Sequence, residues 1–495
     1  MPQRRNTALQ QRYGSAYKWL AGFAVVLGLL TTIFSSTMVN VALTDIMATF
    51  QITQGSAQWM STAFLSASSV AMLTTAWLMN RIGARLTFLC AIASFILGSF
   101  LGWFSISFEM LVIARIFQGA GAGILQPLSM ALVFLLFPPN MRGRAMGLFG
   151  MGVVMGPAFG PIIGGIITDS LEWHTTFSVV IPLALIAGGL GLFLLPDKEE
   201  TSNPRSFNFI SFFLIALTVG SLLTGLSRSQ FFELTNLNVY PYLLIAITGF
   251  TLFLIRELKS AAPLVQLRMF KDLSLTSSAL IGALTTAGMF STFYTIPLFA
   301  RTVQSSSATD AGMLLFPAGL LLVFVFPIVG RLIDKMPAYR LILFGQVLFV
   351  IASIAISFST RDTSYMFLAG WIIVGRIGLG FVMPSNSTFA LSIVTPAQVP
   401  DASGALNFVR MLGGTIGVNL TALLITARTA YHTRLATAAA PDGIINNDAH
   451  IQLLTDSFQD VFMVMAAAFS TSLILGLYMA WAHHTDQTKN KPRPD

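Results

Sequence analysis

Long apolar runs separated by short polar segments are the dominant pattern along this chain. A helix needs roughly 20 apolar residues to cross a bilayer, because lipid offers no partner to backbone polar groups. The rule predicts about fourteen membrane-spanning helices, called spans 1 to 14 in chain order. They cover residues 19–43, 57–79, 86–106, 110–137, 144–168, 175–196, 208–228, 240–256, 275–299, 311–330, 340–358, 364–390, 403–427 and 459–482.

An even number of spans places both chain ends on the same side of the membrane, and the basic residues are concentrated on that side. Of the 28 Lys and Arg residues, twenty fall on the side of the chain ends, five on the opposite side and three inside spans. Cytoplasmic segments carry the excess of Lys and Arg in membrane proteins. The asymmetry therefore predicts cytoplasmic termini, with tails over residues 1–18 and 483–495.

Composition excludes several other classes of protein. Residues are 55% hydrophobic and only 10% charged, whereas soluble proteins carry about 25% charged residues, so lipid must cover most of the chain. The net charge of +8 does not indicate nucleic-acid binding, because the basic residues form short clusters rather than a basic face. One cysteine, Cys90, provides neither a disulfide framework nor a Cys-based metal site. No nucleophile–base pair, metal cluster or phosphate loop indicates an enzyme, and no cofactor is expected.

An internal repeat predicts how the spans are grouped. Arg115 to Gly119 in span 4 is similar to Arg376 to Gly380 in span 12, and Leu78 to Arg81 after span 2 is similar to Leu332 to Lys335 after span 10. Both matches are shifted by eight spans, so two helices are inserted between six-span halves. The predicted parts are a first six-helix bundle, an inserted pair with cytoplasmic linkers and a second six-helix bundle, over residues 19–196, 197–274 and 275–482.

Span 5 contains the most specific motif, GVVMGPAFGPIIGG from Gly152 to Gly165. It resembles the antiporter motif of the major facilitator superfamily and, within it, the fourteen-span drug:proton antiporter family of EmrB-like and QacA-like exporters. The resemblance extends over essentially the whole chain. It implies an all-α membrane protein with the major facilitator fold in a bacterial inner membrane. Glycines four residues apart permit close packing and prolines weaken a helix, so the alternatives are a hinge and a static packing seam. The double Gly-Pro pattern favours a hinge that takes part in the conformational switch. The residues concerned are Gly156, Pro157, Gly160 and Pro161.

The segment from Ala76 to Arg85 is similar to the superfamily's cytoplasmic loop motif, in which an acidic residue precedes a basic one. Asn80 stands where aspartate is usual, which predicts a weakened charged latch, whereas the second-half copy keeps Asp334. The resemblance implies that this motif takes part in the conformational switch. The switch residues would be Asn80, Arg81, Gly83, Arg85 and Asp334.

Ionisable groups inside a bilayer are costly and are candidates for function. The resemblance implies that Arg115 lies near a proton-coupling site, with Gln118 three residues later on the same helix face. A structural hydrogen bond to backbone carbonyls is the alternative. For Arg376 both interpretations stay open, and we expect Arg410 to extend to the cytoplasmic interface among close-packed glycines.

The expected acidic proton carrier is missing from the spans. Ser35 stands where most members of the family have aspartate in span 1, and no carboxylate lies deep in any predicted span. We therefore expect neutral or anionic amphiphiles rather than strongly cationic substrates. Any proton coupling would use an acid near a span end, such as Asp310, Asp45 or Glu109.

Polar groups and aromatic rings on otherwise apolar spans are further candidates for substrate contacts. They are Asn40, Gln126, Ser129, Phe290, Tyr294, Ser385, Asn386 and Asn407. The sequence thus predicts a secondary active exporter of drugs or other small amphiphiles. A dedicated exporter of one metabolite, such as a siderophore or a fatty acid, and a non-transporting scaffold or receptor stay open. Expected partners are the substrate, protons and membrane lipid. In a two-membrane bacterium, the resemblance implies a periplasmic adaptor and an outer-membrane channel.

Overall fold

The computed structural model describes residue 9 and residues 11–198, 206–229, 232–233, 235–439 and 447–489. Half of the first predicted tail, the end of the second and residues 199–205 of the first linker lie outside the described residues. Within this part of the chain, fourteen helices are long and apolar enough to cross a membrane. This result confirms the predicted number of spans.

The described spanning helices are named α1 to α14. The first six are α1 (Tyr17–Val41), α2 (Gln54–Ile82), α3 (Ala84–Trp103), α4 (Phe108–Leu136), α5 (Arg142–Ser170) and α6 (Val180–Leu194, preceded by the short helix Thr175–Ser178). The inserted pair is α7 (Phe209–Arg228) and α8 (Tyr240–Lys259). The last six are α9 (Leu273–Thr302), α10 (Phe316–Ile333), α11 (Ala338–Ser357), α12 (Tyr365–Ser392), α13 (Val399–Ala439) and α14 (Asn447–Lys489).

Polar side chains at the helix ends explain several of these boundaries. Thr53 accepts a hydrogen bond from the Ser56 amide at the start of α2, and Ser107 does the same for Met110 at the start of α4. Asp272 accepts bonds from two amides at the start of α9. These bonds satisfy amides that have no partner within the helix.

Two compact units make up the described chain. The first comprises Met1–Lys271 and Leu391–Phe408, and the second comprises Asp272–Ala390 and Val409–Asp495. The core of the first contains Phe88, Phe95 and Leu125 from α3 and α4, with Val180 from α6. The core of the second contains a set of phenylalanines from α9, α11 and α14: Phe299, Phe349, Phe458, Phe462 and Phe469.

The inserted pair is packed within the first unit. A Cβ at Gly249 of α8 would lie 2.7 Å from the Thr218 hydroxyl of α7, so the two helices approach closely there. Ser227 of α7 donates a hydrogen bond to the Gln58 side chain of α2. These contacts place the pair beside α2 in the first unit.

The last two helices are much longer than predicted. Spans 13 and 14 were predicted over residues 403–427 and 459–482, but α13 has 41 residues and continues to Ala439, whereas α14 has 43 residues and begins at Asn447. The predicted boundaries were wrong because hydropathy marks where lipid ends and not where a helix ends. Asp460 of α14 accepts bonds from Arg428 and His432 of α13, at 2.6 and 2.7 Å. These contacts join α14 to the part of α13 that lies beyond its predicted span.

Large apolar side chains cover much of the outer surface. Phe193, Phe213 and Phe209 are 67%, 66% and 74% exposed. A soluble monomer rarely presents contiguous apolar patches of this kind. The exposed surface is therefore suited to lipid.

Candidate functional site

Arg115 lies at one end of a buried series of hydrogen bonds in the first unit, called the polar chain. The residue is 1% exposed, and its Nη1 donates a 2.9 Å hydrogen bond to Gln118 Oε1. Gln118 Nε2 in turn donates to Ser99 Oγ of α3 at 3.0 Å. The sequence predicted Arg115 and Gln118 as neighbours but gave no signal for Ser99. The polar chain fixes the orientation of the guanidinium.

The Arg115 guanidinium also lies against an aromatic ring. Its Cζ is 4.2 Å from the centre of the Phe64 ring of α2. A guanidinium at this distance is stabilised by the ring quadrupole. No carboxylate forms an ion pair with Arg115 in the described residues. A ring and a neutral amide therefore take the place that an acidic partner would fill, and the local charge stays positive.

Close packing of α3 on α4 supports this arrangement. A Cβ at Gly98 would lie 2.6 Å from the Ala114 carbonyl oxygen and 2.7 Å from the Gln118 amide nitrogen. Only glycine fits at such a separation. The turn that carries Arg115 and Gln118 is held against α3.

Gln126 and Asn407 form a second polar contact within the first unit. Gln126 Nε2 donates to Asn407 Oδ1 at 3.2 Å. Asn407 Nδ2 lies 2.8 Å from the Ser403 carbonyl oxygen and 3.1 Å from the Met130 sulfur. The structure thus joins two of the predicted substrate contacts, although they are far apart in the sequence.

Arg376 resembles Arg115 in its surroundings but belongs to the second unit. It is 2% exposed, and its Cζ is 4.1 Å from the centre of the Phe293 ring of α9. Nη1 and Nη2 have no hydrogen-bond partner in the part of the chain that the structure describes. Unpaired buried donors are costly, so this arginine is suited to receive an acceptor.

Arg410 forms a hydrogen bond to a neighbouring helix. Its Nη2 donates a 2.7 Å bond to Ser387 Oγ of α12. The adjacent Asn386 donates to the Ser278 carbonyl at 2.8 Å. The Asn386 Oδ1 and Ser385 hydroxyl lack partners among the described residues. Extension of Arg410 to the cytoplasmic interface stays a prediction.

Three predicted residues are not joined to these groups by a hydrogen bond. The Ser35 hydroxyl is buried without a hydrogen-bond partner in the described chain. Asn40 is exposed and accepts a 3.4 Å bond from Ser61. Tyr294 is 41% exposed on α9. Their roles in substrate binding stay predictions.

The loop between α2 and α3 carries an ion pair that sequence reasoning missed. Gly83 has a φ of 85°, a left-handed conformation that favours glycine, and it separates the two helices. Arg85 Nη1 then pairs with Asp197 Oδ1 at 2.6 Å, beyond the end of α6. Lys198 donates a 3.0 Å bond to the Arg81 carbonyl. Arg85 therefore has an acidic partner just beyond α6, and a part for this pair in a conformational switch stays a prediction.

The second copy of the motif is positioned at the end of α10. Asp334 is the C-terminal cap residue of that helix, and its amide bonds to the Leu332 carbonyl. Its place in a conformational switch stays a prediction.

Helix α5 packs against α1 through its glycine series. A Cβ at Gly156 would overlap Ile33, and one at Gly160 would overlap the Thr37 hydroxyl. Thr37 also donates a 3.2 Å bond to the Gly156 carbonyl. The helix is continuous through Pro157 and Pro161 from Arg142 to Ser170. The seam is thus present, and bending at the prolines stays a prediction.

A family model described as Major Facilitator Superfamily matches residues 25–418. The chain belongs to the major facilitator superfamily. This membership confirms the fold resemblance found in the motifs, and the superfamily consists of transporters rather than enzymes.

Named relatives within the superfamily share a quarter or more of the sequence. The chain is 27% identical over 450 residues to the Lincomycin resistance protein LmrB of Listeria innocua, with 90% of this chain and 93% of the relative covered. It is 28% identical over 412 residues to the Multidrug export protein EmrB of Escherichia coli K12, with 83% and 80% covered. Among solved structures, the human organic anion transporter MFSD10 is similar, with a TM-score of 0.66, 15% identity and coverage of 93% and 99%. The structural likeness supports the fold.

Proposed function

We propose that this protein is a secondary active exporter of drugs or other small amphiphilic molecules, working by alternating access. The observation that carries the proposal is the positively charged polar chain of Arg115, Gln118 and Ser99, buried in an otherwise apolar bundle. The names of LmrB and EmrB support export of toxic compounds. Both termini would be cytoplasmic in a bacterial inner membrane, in agreement with the distribution of basic residues.

The charge of the interior supports neutral or anionic substrates. Arg115 and Arg376 each lie over a phenyl ring, and no carboxylate pairs with either in the described chain. A cationic substrate would meet uncompensated positive charge on approaching either residue. Gln126 and Asn407 would provide amide contacts that tolerate several substrates.

Proton coupling would depend on acids outside the spans. Asp45 is exposed in the first turn of a short helix after α1, Leu43–Phe50, and Glu109 is exposed in the first turn of α4. In the second unit, Asp310 Oδ2 accepts a 2.7 Å bond from the Ser307 hydroxyl. If one of these groups carries the proton, an Asp310→Asn, Asp45→Asn, Glu109→Gln triple variant loses substrate-dependent proton movement in inverted membrane vesicles. Unchanged proton movement would reject this route.

The function itself is tested in a drug-sensitive host with and without the gene. We expect lower susceptibility to several unrelated anionic or neutral amphiphiles, and loss of protection in Arg115→Ala at equal expression. Protection against one compound alone would support a dedicated carrier. No protection, together with no uptake by inverted vesicles, would support a scaffold.

In a host with two membranes, we further propose that export uses a periplasmic adaptor and an outer-membrane channel. Deleting the channel should then abolish resistance without changing transport by inverted vesicles. Resistance that persists without the channel would contradict this assembly.

A further inference from the structure

A large apolar cavity lies between the inserted pair and the first bundle, inside the first unit. Its volume is about 700 Å³, and its walls come from α2, α4, α7 and the first turn of α8. Carbon side chains such as Val70, Ile124, Phe212 and Leu217 form most of the surface. None of Arg115, Gln118, Gln126 or Asn407 lines it. The cavity is therefore separate from the polar chain around Arg115.

A polar cleft of about 460 Å³ adjoins one end of the cavity. The two spaces share Trp59, Thr62 and Thr224. The cleft is lined by hydroxyl and amide groups and by one cation: Ser56, Gln58, Ser227, Asn238 and Arg228. Together the two spaces form one amphipathic site.

Arg228 lies at the junction between the polar and apolar parts. Its Cζ is 4.8 Å from the centre of the Tyr242 ring, which itself lines the apolar cavity. No acidic side chain pairs with Arg228 in the described ranges of the chain. A guanidinium surrounded by neutral donors is the arrangement that binds phosphate or carboxylate groups.

The dimensions of the apolar part match a hydrocarbon chain. The cavity follows α2 from Trp59 to Thr74, a distance of about 22 Å at the rise of an α-helix. This length exceeds half of the roughly 30 Å hydrocarbon core of a bilayer. Ile116 and Leu217 line the cavity and are 45% and 41% exposed, so the cavity is accessible from outside the protein. The cavity is therefore long, apolar and open.

We propose that this site binds an anionic phospholipid, with one acyl chain between α2, α4 and α7 and the headgroup at Arg228. Trp59 and Tyr242 stand at the level of the headgroup, where aromatic side chains are common in membrane proteins. The bound lipid fills the space between the inserted pair and the bundle and holds them together. This inference does not depend on which compounds the protein exports.

The test uses purified protein reconstituted in phosphatidylcholine vesicles with a trace of spin-labelled phosphatidylglycerol or spin-labelled phosphatidylcholine. Electron spin resonance reports the immobilised fraction of each probe. In Arg228→Ala, we expect the preference for phosphatidylglycerol over phosphatidylcholine to fall by about tenfold, because a charge-assisted contact to the headgroup is lost. Arg256→Ala, at the other end of the inserted pair, is the matched control and should retain the preference.

A second variant tests the acyl-chain part. Gly220 lines the cavity, and a Cβ there meets no atom within 4 Å, so Gly220→Leu fills the cavity without a clash at Cβ. Immobilisation of both probes should fall. Gly189→Leu on α6, another open glycine position, is the control. Ala120→Leu fills the cavity from α4 if Gly220→Leu does not fold.

Three results would overturn the proposal. Both variants could match their controls, or the unaltered protein could bind the two probes equally. In the third, an exported amphiphile displaces phosphatidylglycerol and Gly220→Leu abolishes export, so that the occupant is the transported compound. Loss of lipid preference with intact export would support the lipid site and leave the proposed transport function unaffected.

Discussion

Arg115 is held by neutral groups, which makes its neighbours as important as its charge. Gln118 accepts its hydrogen bond, Phe64 covers its face and Ser99 fixes Gln118. Buried polar groups that lose a partner cost roughly 1–3 kcal/mol. Each member of the chain should therefore influence transport through the orientation of the guanidinium.

Replacing Gln118 by leucine tests this dependence. We expect Gln118→Leu to lower the free energy of unfolding by about 1–3 kcal/mol, because Arg115 loses its acceptor, and to reduce transport per folded molecule. Gln346→Leu is the control, because Gln346 is also buried but donates to the Ser472 carbonyl of α14 in the second unit. The control should lose stability but retain transport. Equal transport by the two variants would contradict a functional role for the polar chain around Arg115.

The pair of Arg85 and Asp197 provides a second test at the level of single residues. Asp197→Asn removes the charge that binds Arg85 across 2.6 Å, and we expect slower transport with little change in substrate affinity. The exchanged double variant, Arg85→Asp with Asp197→Arg, should recover part of the rate, as a double-mutant cycle would show. Absence of recovery would mean that the contact is not itself the latch.

At the scale of helices, the α1–α5 seam depends on side chains too small to separate the two backbones. Gly160→Ala places a methyl group on the Thr37 hydroxyl, whereas Gly165→Ala on the same helix meets nothing within 4 Å. We expect Gly160→Ala to reduce both thermal stability and transport, and Gly165→Ala to leave both unchanged. Thermal unfolding in detergent and vesicle uptake measure the two effects. Equal stability and equal transport of the two variants would mean that the seam has no role in transport.

The sequence predicts helices better than it predicts their contacts. All fourteen spans were found because each is set by the thickness of the bilayer, a local property of about 20 residues. The pairing of Arg85 with Asp197 joins positions more than a hundred residues apart, and no local pattern indicates it. Likewise, the string around Arg410 predicted close packing, but only the arrangement of α12 reveals Ser387 as its partner.

At the scale of the whole molecule, membrane orientation is a prediction from charge alone. A Cys90→Ser background permits single cysteines to be placed at exposed positions on the two predicted sides. Asp362→Cys should react with an impermeant maleimide in intact cells, and Lys335→Cys should react only after the membrane is permeabilised. The opposite pattern would invert the proposed orientation.

The uncompensated guanidinium of Arg115 also has an energetic consequence. In a cell with a negative interior, voltage favours the departure of a monovalent anion by about 2.3 kcal/mol for each 100 mV. The membrane voltage would therefore drive export by a carrier that selects anions, whereas the same voltage opposes the export of cations. Dissipating the electrical gradient should then slow export of an anion more than dissipating the pH gradient does.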